Sequence, residues 1–248
     1  GGKEQIAGEY QPGWMLLSYG KKVSVSSSLE GYPAENIVDE DARTAWVAQS
    51  NRDMEWAQVD LQRLSSIHAI QVNFDEYGAN QKGAVSGVYQ SYLIYASVNG
   101  EDWSLVVDYG TKKTDTPHDY IEFEEPFKAR YIKLQNKEYM VSENFSVRDL
   151  RIFGKGQGST PRAVNDFTVE RDEADPCKAR LCWEAVPDAQ GYIVRYGIAG
   201  DKLYNNFQVM GENTLEIGSL NKGVAYYFTI DAYNENGITR TSRIKVCR

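Results

Sequence analysis

Four tyrosines fall outside the strands that the sequence predicts, in stretches where a side chain is free to meet a ligand. Two of them follow short polar turns, Glu30-Gly31 before Tyr32 and Asp75-Glu76 before Tyr77. An aromatic ring packs on the apolar side of a pyranose ring, while a few polar groups orient the sugar hydroxyls. These residue types predict that the tyrosines contact carbohydrate. The alternative is that they have no function, since exposed tyrosines are common and each one is more often non-functional. The candidate sugar-contacting residues are Glu30, Tyr32, Asp75, Tyr77 and Tyr139, and the long, glycine-rich connection after Asp75 also carries Tyr89.

The acidic side chains do not by themselves indicate catalysis. Glycoside hydrolysis needs two carboxylates either about 5 Å or about 6.5–9.5 Å apart across a cleft, and among 35 acidic residues the presence of carboxylates decides nothing. His68 lies in a strand pattern and His118 follows Pro117, and neither has a serine or cysteine nucleophile motif beside it. We therefore expect that this chain is not an enzyme.

Length and charge exclude several classes of protein. A chain of 248 residues corresponds to two modest domains or one large one. Its 27 basic and 35 acidic residues give a net charge of −8, the opposite sign from the basic footprint of a nucleic-acid-binding protein. The apolar runs, such as Trp14-Met15-Leu16-Leu17, are too short for membrane insertion. Two histidines and three cysteines argue against a His/Cys zinc site.

The elements that must position the candidate residues are β-strands. Apolar and polar residues alternate with period two in Ile67–Phe74 and Tyr92–Ser97, and again in Tyr192–Tyr196. No stretch sustains an amphipathic helix over three turns. The glycine-rich segment Gly154–Pro161 predicts a linker between two β-sandwiches. Acidity is concentrated before this linker, since residues 1–158 carry 16 basic and 23 acidic side chains.

Three tryptophans of the first part lie in or beside the predicted strands. They are Trp46, Trp56 and Trp103. Strand tryptophans of a half-buried sheet pack well in a hydrophobic core, so we expect all three in the core and not at a ligand site.

An ordered set of motifs runs through the first part of the chain. The motifs are Ala34–Trp46, Trp56–Leu61, Tyr95–Trp103, Ala129–Leu134 and Asp149–Gly154. In this order they resemble the discoidin, or coagulation factor 5/8 type C, family, which includes many galactose-type carbohydrate-binding modules of bacterial enzymes. The resemblance covers roughly residues 18–154 and implies an eight-stranded jelly roll with its loops gathered at one end.

The same resemblance implies a structural calcium ion under the loop of residues 39–44. Asp39, Asp41 and Thr44 would supply oxygen ligands, with Asp149 arriving from the last strand, and a hard cation prefers such oxygens crowded in a tight turn. The family usually has glycine directly after the first aspartate, where this chain has Glu40. The alternative is a solvated acidic loop without metal.

Recognition of terminal galactose is not expected. In many galactose-binding relatives a histidine follows the tryptophan of the T-x-W motif, and another aromatic residue lies a few positions later. Here the motif Thr44–Trp46 is followed by Val47 and then by Ala48-Gln49-Ser50. The sugar class therefore stays open.

The second part of the chain resembles a fibronectin type III domain, which is an immunoglobulin-like sandwich. Trp183 matches its B strand, Gly191–Tyr196 its C strand, and Leu220–Asn234 its E–F corner and F strand. The resemblance implies that Tyr226 is the corner tyrosine whose hydroxyl ties back to the preceding loop. Three cysteines cannot all pair within one chain, so a bond between Cys177 and Cys247 and free thiols at these positions and at Cys182 both stay open.

The order of the two modules resembles the C-terminal region of multidomain family 43 glycoside hydrolases from gut Bacteroides-type bacteria. The stretches Gly13–Tyr19, Pro117–Glu122 and Asp201–Tyr204 share this resemblance. In those proteins a propeller with arabinofuranosidase- or xylosidase-type activity precedes the two modules. The predicted layout is a connection from an absent upstream catalytic domain (1–17), a discoidin-like domain (18–154), a linker (155–161) and a fibronectin type III domain (162–248).

Three functions of different classes follow from these resemblances. The first is a non-catalytic appendage of a secreted, periplasmic or cell-surface bacterial glycoside hydrolase, whose discoidin-like module binds plant-type polysaccharide or oligosaccharide and raises its effective concentration. The second is a structural appendage that packs on the catalytic domain and binds no ligand. The third is a lectin-like adhesion or cell-surface protein, although a net negative module opposes binding to acidic phospholipid. We favour the first.

Overall fold

The protein is almost entirely β, as the alternation predicted. The structure, a computed structural model, describes residues 3–6, 13–78, 90–114 and 116–248. It divides into two compact units, Leu16–Gln157 and a second unit that joins Gly1–Met15 to Gly158–Arg248. Within the described residues, no helix has the length and apolar character needed to cross a bilayer.

The first unit is built on long antiparallel strands. Strands are numbered along the chain from β1 (Lys3–Ile6), which belongs to the second unit. In the first unit the sheet order is β2-β9-β5-β8-β6-β7, with β3 added beside β5 and β4 beside β9. Their bounds are β2 (Met15–Leu16), β3 (Lys22–Val25), β4 (Trp46–Val47), β5 (Trp56–Phe74), β6 (Gln90–Ser97), β7 (Ser104–Thr114), β8 (His118–Tyr139) and β9 (Ser146–Gly156), and a 3₁₀ helix spans Ala34–Val38.

A bend in β5 folds this sheet into two layers. Residues 56–60 pair with β3 and with the second half of β8, whereas residues 65–74 pair with β9 and with the first half of β8. The register shifts between Asp60 and Ser65, where Gln62 takes a φ of 67°. The Gln62 N–H donates to the Asp60 carboxylate over 2.7 Å and fixes the bend. The result is the predicted jelly roll, with the core enclosed between the layers.

Aromatic side chains fill the core beneath the loops that carry the candidate residues. Trp46 is fully buried, as expected, and lies 5.6 Å from the Phe145 ring. The expectation is wrong for Trp56 and Trp103, which are half-exposed. In β5 the side chains alternate between faces, and because Ala57 and Val59 point into the core, Trp56 lies on the outer face.

The second unit consists of two further sheets. One has the order β10-β11-β14, and the other has the order β1-β13-β12-β15-β16 with β17 also on β15. The bounds are β10 (Phe167–Arg171), β11 (Ala179–Trp183), β12 (Gly191–Gly197), β13 (Asn205–Met210), β14 (Thr214–Ile217), β15 (Tyr226–Asn234), β16 (Gly237–Thr239) and β17 (Lys245–Cys247).

Two segments differ from the predicted layout. Residues 3–6, assigned to a connection (1–17), form β1 and pair antiparallel with Asn206–Val209 of β13. The first residues of the predicted linker (155–161) continue β9, because Lys155 and Gly156 pair with β5. Further along, the Gly158 N–H donates to Asn236 over 2.8 Å, so residues 155 and 156 belong to the sheet of the first unit and Gly158 belongs to the second unit.

The second unit contains the hydrogen bond that was expected for the Tyr226 hydroxyl. The Asn221 N–H donates to the Tyr226 hydroxyl over 2.9 Å, the bond expected of a corner tyrosine. The cysteines Cys177, Cys182 and Cys247 are free thiols.

Candidate functional site

Two of the predicted tyrosines meet at one end of the first unit. Tyr32 lies between β3 and the 3₁₀ helix, Tyr77 follows β5, and their ring centroids are 5.0 Å apart with an interplanar angle of 67°. The Tyr32 N–H donates to the Leu29 carbonyl over 3.1 Å, and Gly31 takes a φ of 86° that a side chain would strain. Both rings are half-buried, so the edge-to-face pair leaves aromatic surface open to solvent.

An ion pair fixes the chain immediately before Tyr77. Arg148 of β9 donates to the Asp75 carboxylate over 3.0 Å, and both side chains are half-exposed. The Asp75 N–H donates to the Ser146 carbonyl over 3.0 Å, which extends the pairing of β5 and β9 by one step. Sequence reasoning missed Arg148, because 73 positions separate it from Asp75. The one signal was an arginine directly before the Asp149–Gly154 motif.

The prediction that Tyr139 contacts sugar is corrected by its burial. Tyr139 is 1% exposed, and its ring packs 5.3 Å from Phe145 and 6.1 Å from Phe74. Its hydroxyl donates to the Asp75 carbonyl. Because Tyr139 is the last residue of β8 and its side chain is turned into the core, it positions Asp75 and offers no ring face to a ligand.

The remaining predicted residues of this site lie in the same two loops. Glu30 is exposed, two residues before Tyr32. Residues 79–89, which include Tyr89, lie outside the described part of the chain. The structure therefore brings Tyr32 against Tyr77 and Arg148 against Asp75, leaves Glu30 at the surface, and places Tyr139 behind the site.

A buried carboxylate joins the loops of this end of the unit. Glu55 is 4% exposed and accepts hydrogen bonds from the hydroxyls of Ser26 (2.7 Å), Ser27 (2.7 Å) and Ser50 (2.8 Å), and from the Ser50 N–H (3.0 Å). Burial raises the pKa of Glu55, but the bonds from the three serines outweigh it and leave this pKa below its ordinary value. Glu55 thus ties the loop after β3 to the segment before β5, and sequence reasoning missed it.

The predicted calcium loop groups oxygen atoms, but not all of the predicted ones. The Asp39 carboxylate accepts from the Thr44 hydroxyl over 2.6 Å, and that hydroxyl lies 3.1 Å from the Asp41 main-chain carbonyl. The Asp41 carboxylate instead binds Arg43 over 3.1 Å, a bond that lowers the pKa of Asp41. Within the described residues no three acidic, histidine or cysteine side chains converge on a possible metal position. Among the described residues the carboxylates of Asp39, Asp41 and Asp149 therefore do not converge, and that of Asp41 is paired with Arg43 at the surface.

Asp149 and Glu40 lie on the inner side of this loop. Asp149 is 8% exposed and accepts from the Asn73 amide over 2.9 Å. Burial first, and then the charges of Glu40 and Asp39, raise the pKa of Asp149 above its ordinary value. Glu40 stands where the resemblance expects glycine and takes the left-handed φ of 55°, and Arg151 holds its carboxylate over 2.7 Å. Glu40 therefore adopts the backbone conformation that glycine would favour at this position, although the residue type differs.

The loops that carry Tyr32 and Tyr77, together with the Asp75–Arg148 ion pair, offer a ligand two kinds of contact. The Tyr32–Tyr77 pair supplies apolar ring surface. Arg148 supplies N–H donors, and Asp75 and Glu30 supply carboxylate acceptors. This combination suits a ligand that has an apolar face and several hydroxyl groups.

The F5/8 type C domain family matches residues 22–149, more than half of the chain. The chain belongs to the F5/8 type C domain family. The matched F5/8 type C domain contains the tyrosine pair, the Asp75–Arg148 ion pair and the acidic loop, and it ends at Asp149. The match does not include the second unit, for which the fibronectin type III fold stays a prediction.

Sequence relatives match the F5/8 type C domain over part of their length. Lactadherin of Rattus norvegicus is 33% identical over 110 residues, and lactadherin of Mus musculus is 32% identical over 110 residues. These residues are 42% of this chain and 25% of the rat protein, so the match spans a quarter of that relative's length.

Solved structures of carbohydrate-binding modules align with a little over half of the chain. Chitosan-binding module 1 of a chitosanase/glucanase from Paenibacillus sp. IK-5 has a TM-score of 0.48 at 20% identity, over 56% of this chain and 99% of that chain. The family 32 module of Clostridium perfringens NanJ, solved in complex with galactose, has a TM-score of 0.45 at 18% identity, over 56% of this chain and 98% of that chain.

Proposed function

We propose that the F5/8 type C domain binds carbohydrate through the loops that carry Tyr32 and Tyr77. The pair of half-buried rings 5.0 Å apart, next to the Asp75–Arg148 ion pair, is the observation that carries the proposal. Membership of a family that includes many sugar-binding modules supports it. The rings pack on the apolar face of a sugar, and Arg148, Asp75 and Glu30 bond its hydroxyls.

Titration calorimetry on the intact chain tests this function. We expect saturable heat with at least one arabinoxylan oligosaccharide, and no response to galactose, because Val47 stands where galactose-binding relatives usually have histidine. Xylose serves as the single-ring comparison and should bind more weakly than an oligosaccharide that covers both tyrosines. A chain that melts cooperatively but gives no heat with any sugar contradicts the proposal and favours the purely structural appendage.

We also propose a structural calcium ion under the loop of residues 39–44. Asp39 through its carboxylate, Thr44 through its hydroxyl and Asp41 through its main-chain carbonyl would hold the ion, with Asp149 on its inner side. The short separations among the first three oxygens support this set. The bound ion would offset the mutual repulsion of Asp39, Glu40 and Asp149 and lock the loop that precedes β4.

Removal of calcium should destabilise the first unit. At a calcium concentration about a hundred times the dissociation constant, binding adds about 2.7 kcal/mol, and a chelator should therefore lower the melting temperature by roughly 5–10 °C. In Asp39→Asn, which weakens the site, we expect a much smaller effect of the chelator. An unchanged melting temperature of the unmodified chain would show that the acidic loop is solvated and holds no metal.

We further propose that the chain is a non-catalytic appendage of a secreted bacterial glycoside hydrolase of the arabinofuranosidase or xylosidase type. The support is the resemblance of Gly13–Tyr19, Pro117–Glu122 and Asp201–Tyr204 to the C-terminal region of such enzymes. In this arrangement the appendage is exported with its enzyme and keeps it near polysaccharide. Release of reducing sugar from arabinoxylan by this chain alone would argue against the proposal.

A further inference from the structure

A second aromatic cluster lies on the outer face of the sheet in the first unit, on strands β5 and β8 and in the turn directly before β7, away from the loops described above. The Lys133 ammonium of β8 lies 4.7 Å from the ring centroid of Trp56 and 5.5 Å from that of Trp103. The Trp103 and Tyr131 ring centroids are 6.4 Å apart. We call these four half-exposed residues (Trp56, Trp103, Tyr131 and Lys133) the Lys133 face.

Among the described residues, the ammonium of Lys133 has no anionic partner. Throughout the described residues, no carboxylate lies within salt-bridge distance of it, and its recorded side-chain contacts are the two indole rings. An ammonium carries three donors and is strongly hydrated, so a partly desolvated one is stabilised by an anion that accepts its hydrogen bonds. The two rings hold Lys133 in place but provide no such acceptor.

The strands beneath the Lys133 face carry more basic than acidic outward side chains, unlike the unit as a whole. Residues 1–158 carry 16 basic and 23 acidic side chains. Outward on β3, on residues 56–60 of β5 and on residues 130–135 of β8, however, Lys22, Arg130 and Lys133 lie near one carboxylate, that of Asp60. Arg130 already binds Asp60 through two hydrogen bonds of 2.9 and 3.1 Å. The exposed carboxylates of Glu101 and Asp102 precede Trp103, so the excess of positive charge lies on these strands and does not extend to the Trp103 end of the face.

We propose that the Lys133 face is a second binding site that takes an anionic sugar chain, one with carboxylate or sulfate groups. The acidic group pairs with the Lys133 ammonium, and the flanking sugar rings pack on Trp56 and Trp103. Tyr131 and Gln135, the residue paired with Trp56, are four steps apart along β8, which gives the face a length of about 13 Å. That length exceeds one pyranose ring, and the flat aromatic surface favours a sugar chain over an acidic peptide.

Calorimetry with charged and neutral oligosaccharides tests the proposal, using Tyr77→Ala as background so that the loop site does not contribute. The probes are trigalacturonate, a sulfated heparin-derived oligosaccharide, a neutral xylo-oligosaccharide and a polyglutamate peptide. We expect saturable binding of one or both anionic sugars, and the stronger of the two identifies the acidic group. Lys133→Met, which keeps the apolar stem, should weaken that binding about tenfold or more, the loss typical of a charge-assisted hydrogen bond.

Two further variants separate recognition from general charge and from misfolding. Lys128→Met removes an exposed lysine of the same strand and should leave binding unchanged, and Lys133→Arg should retain it if the cation is what the ligand meets. Equal binding of polyglutamate, or equal binding of the neutral oligosaccharide, would overturn the assignment of an anionic sugar. Anionic sugar that binds the unmodified chain but not Tyr77→Ala, with Lys133→Met unaffected, would place the ligand in the loops and overturn the second site, while leaving the proposed function intact.

Discussion

Replacing Glu55 with alanine should lower the free energy of unfolding of the first unit by about 3 kcal/mol or more. The change removes the acceptor of the Ser50 N–H and of three serine hydroxyls, and each buried donor left without a partner costs about 1–3 kcal/mol. A small cavity adds to this cost. Denaturant unfolding followed by tryptophan fluorescence measures the loss, and Glu30→Ala, at an exposed position in the neighbouring loop, serves as the matched control.

The effect of Glu55 should depend on pH in a defined direction. Because its pKa is lower in the folded chain than in the unfolded chain, its contribution is fully present above the unfolded value of about 4.3. The contribution is lost as the pH falls through the folded pKa. The stability difference between the unmodified chain and Glu55→Gln should therefore be constant near neutral pH and shrink below about pH 4. A difference that stays the same down to pH 3 would show that the ionised form is not what the serines stabilise.

Loss of Tyr77 should have the largest effect on sugar binding. Tyr77→Ala removes one ring of the pair and the packing that holds Tyr32, and a buried aromatic anchor at a binding site is worth about 2 kcal/mol or more. We expect at least a tenfold and up to a hundredfold weaker affinity. Tyr32→Ala should also weaken the affinity for sugar, because each ring orients the other.

Two variants make this prediction specific. Tyr204→Ala changes an exposed tyrosine of the second unit and should leave affinity unchanged. Tyr139→Phe keeps the buried ring but removes the hydroxyl that bonds Asp75, so we expect a smaller loss of affinity than for Tyr77→Ala. If Tyr77→Ala bound sugar as tightly as the unmodified chain, the loops would not be the site.

The strands and the family could be predicted from the sequence because their signals are local. The alternation of apolar and polar residues in Ile67–Phe74 and Tyr92–Ser97 indicates which side chains face the core. Both stretches lie in strands. The site itself depends on contacts between distant positions. Tyr77 lies shortly after the long strand β5 and Tyr139 is the last residue of the long strand β8. Only the packing of Phe74 and Phe145 around Tyr139 distinguishes its buried ring from the half-exposed ring of Tyr77.

The role of Glu55 and the exposure of Trp56 and Trp103 could not be predicted either, because both depend on contacts that form only in the folded chain. Glu55 is one acidic residue among 35, and its role depends on serines at positions 26, 27 and 50 that surround it only after folding. Trp56 and Trp103 fit a core by residue type, but strand register turns Trp56 outward and Trp103 lies in the turn before β7, and both rings meet Lys133. Composition indicates an acidic domain, and it does not show where the basic side chains gather.

The pairing of β1 with β13 makes the first unit an insertion within the second. The chain enters the first unit at Leu16 and leaves it at Gln157, and the second unit is composed of the segments on either side. A single proteolytic cut near Gly158 would leave residues 1–15 covalently joined to the first unit, and only the pairing of β1 with β13 would then connect them to residues 158–248. A fragment that starts after that cut lacks β1 and leaves Asn206–Val209 as an uncovered sheet edge, a recognised route to aggregation. The minimal second unit must therefore be reassembled from two stretches of sequence, by joining residues 1–15 to residues 158–248.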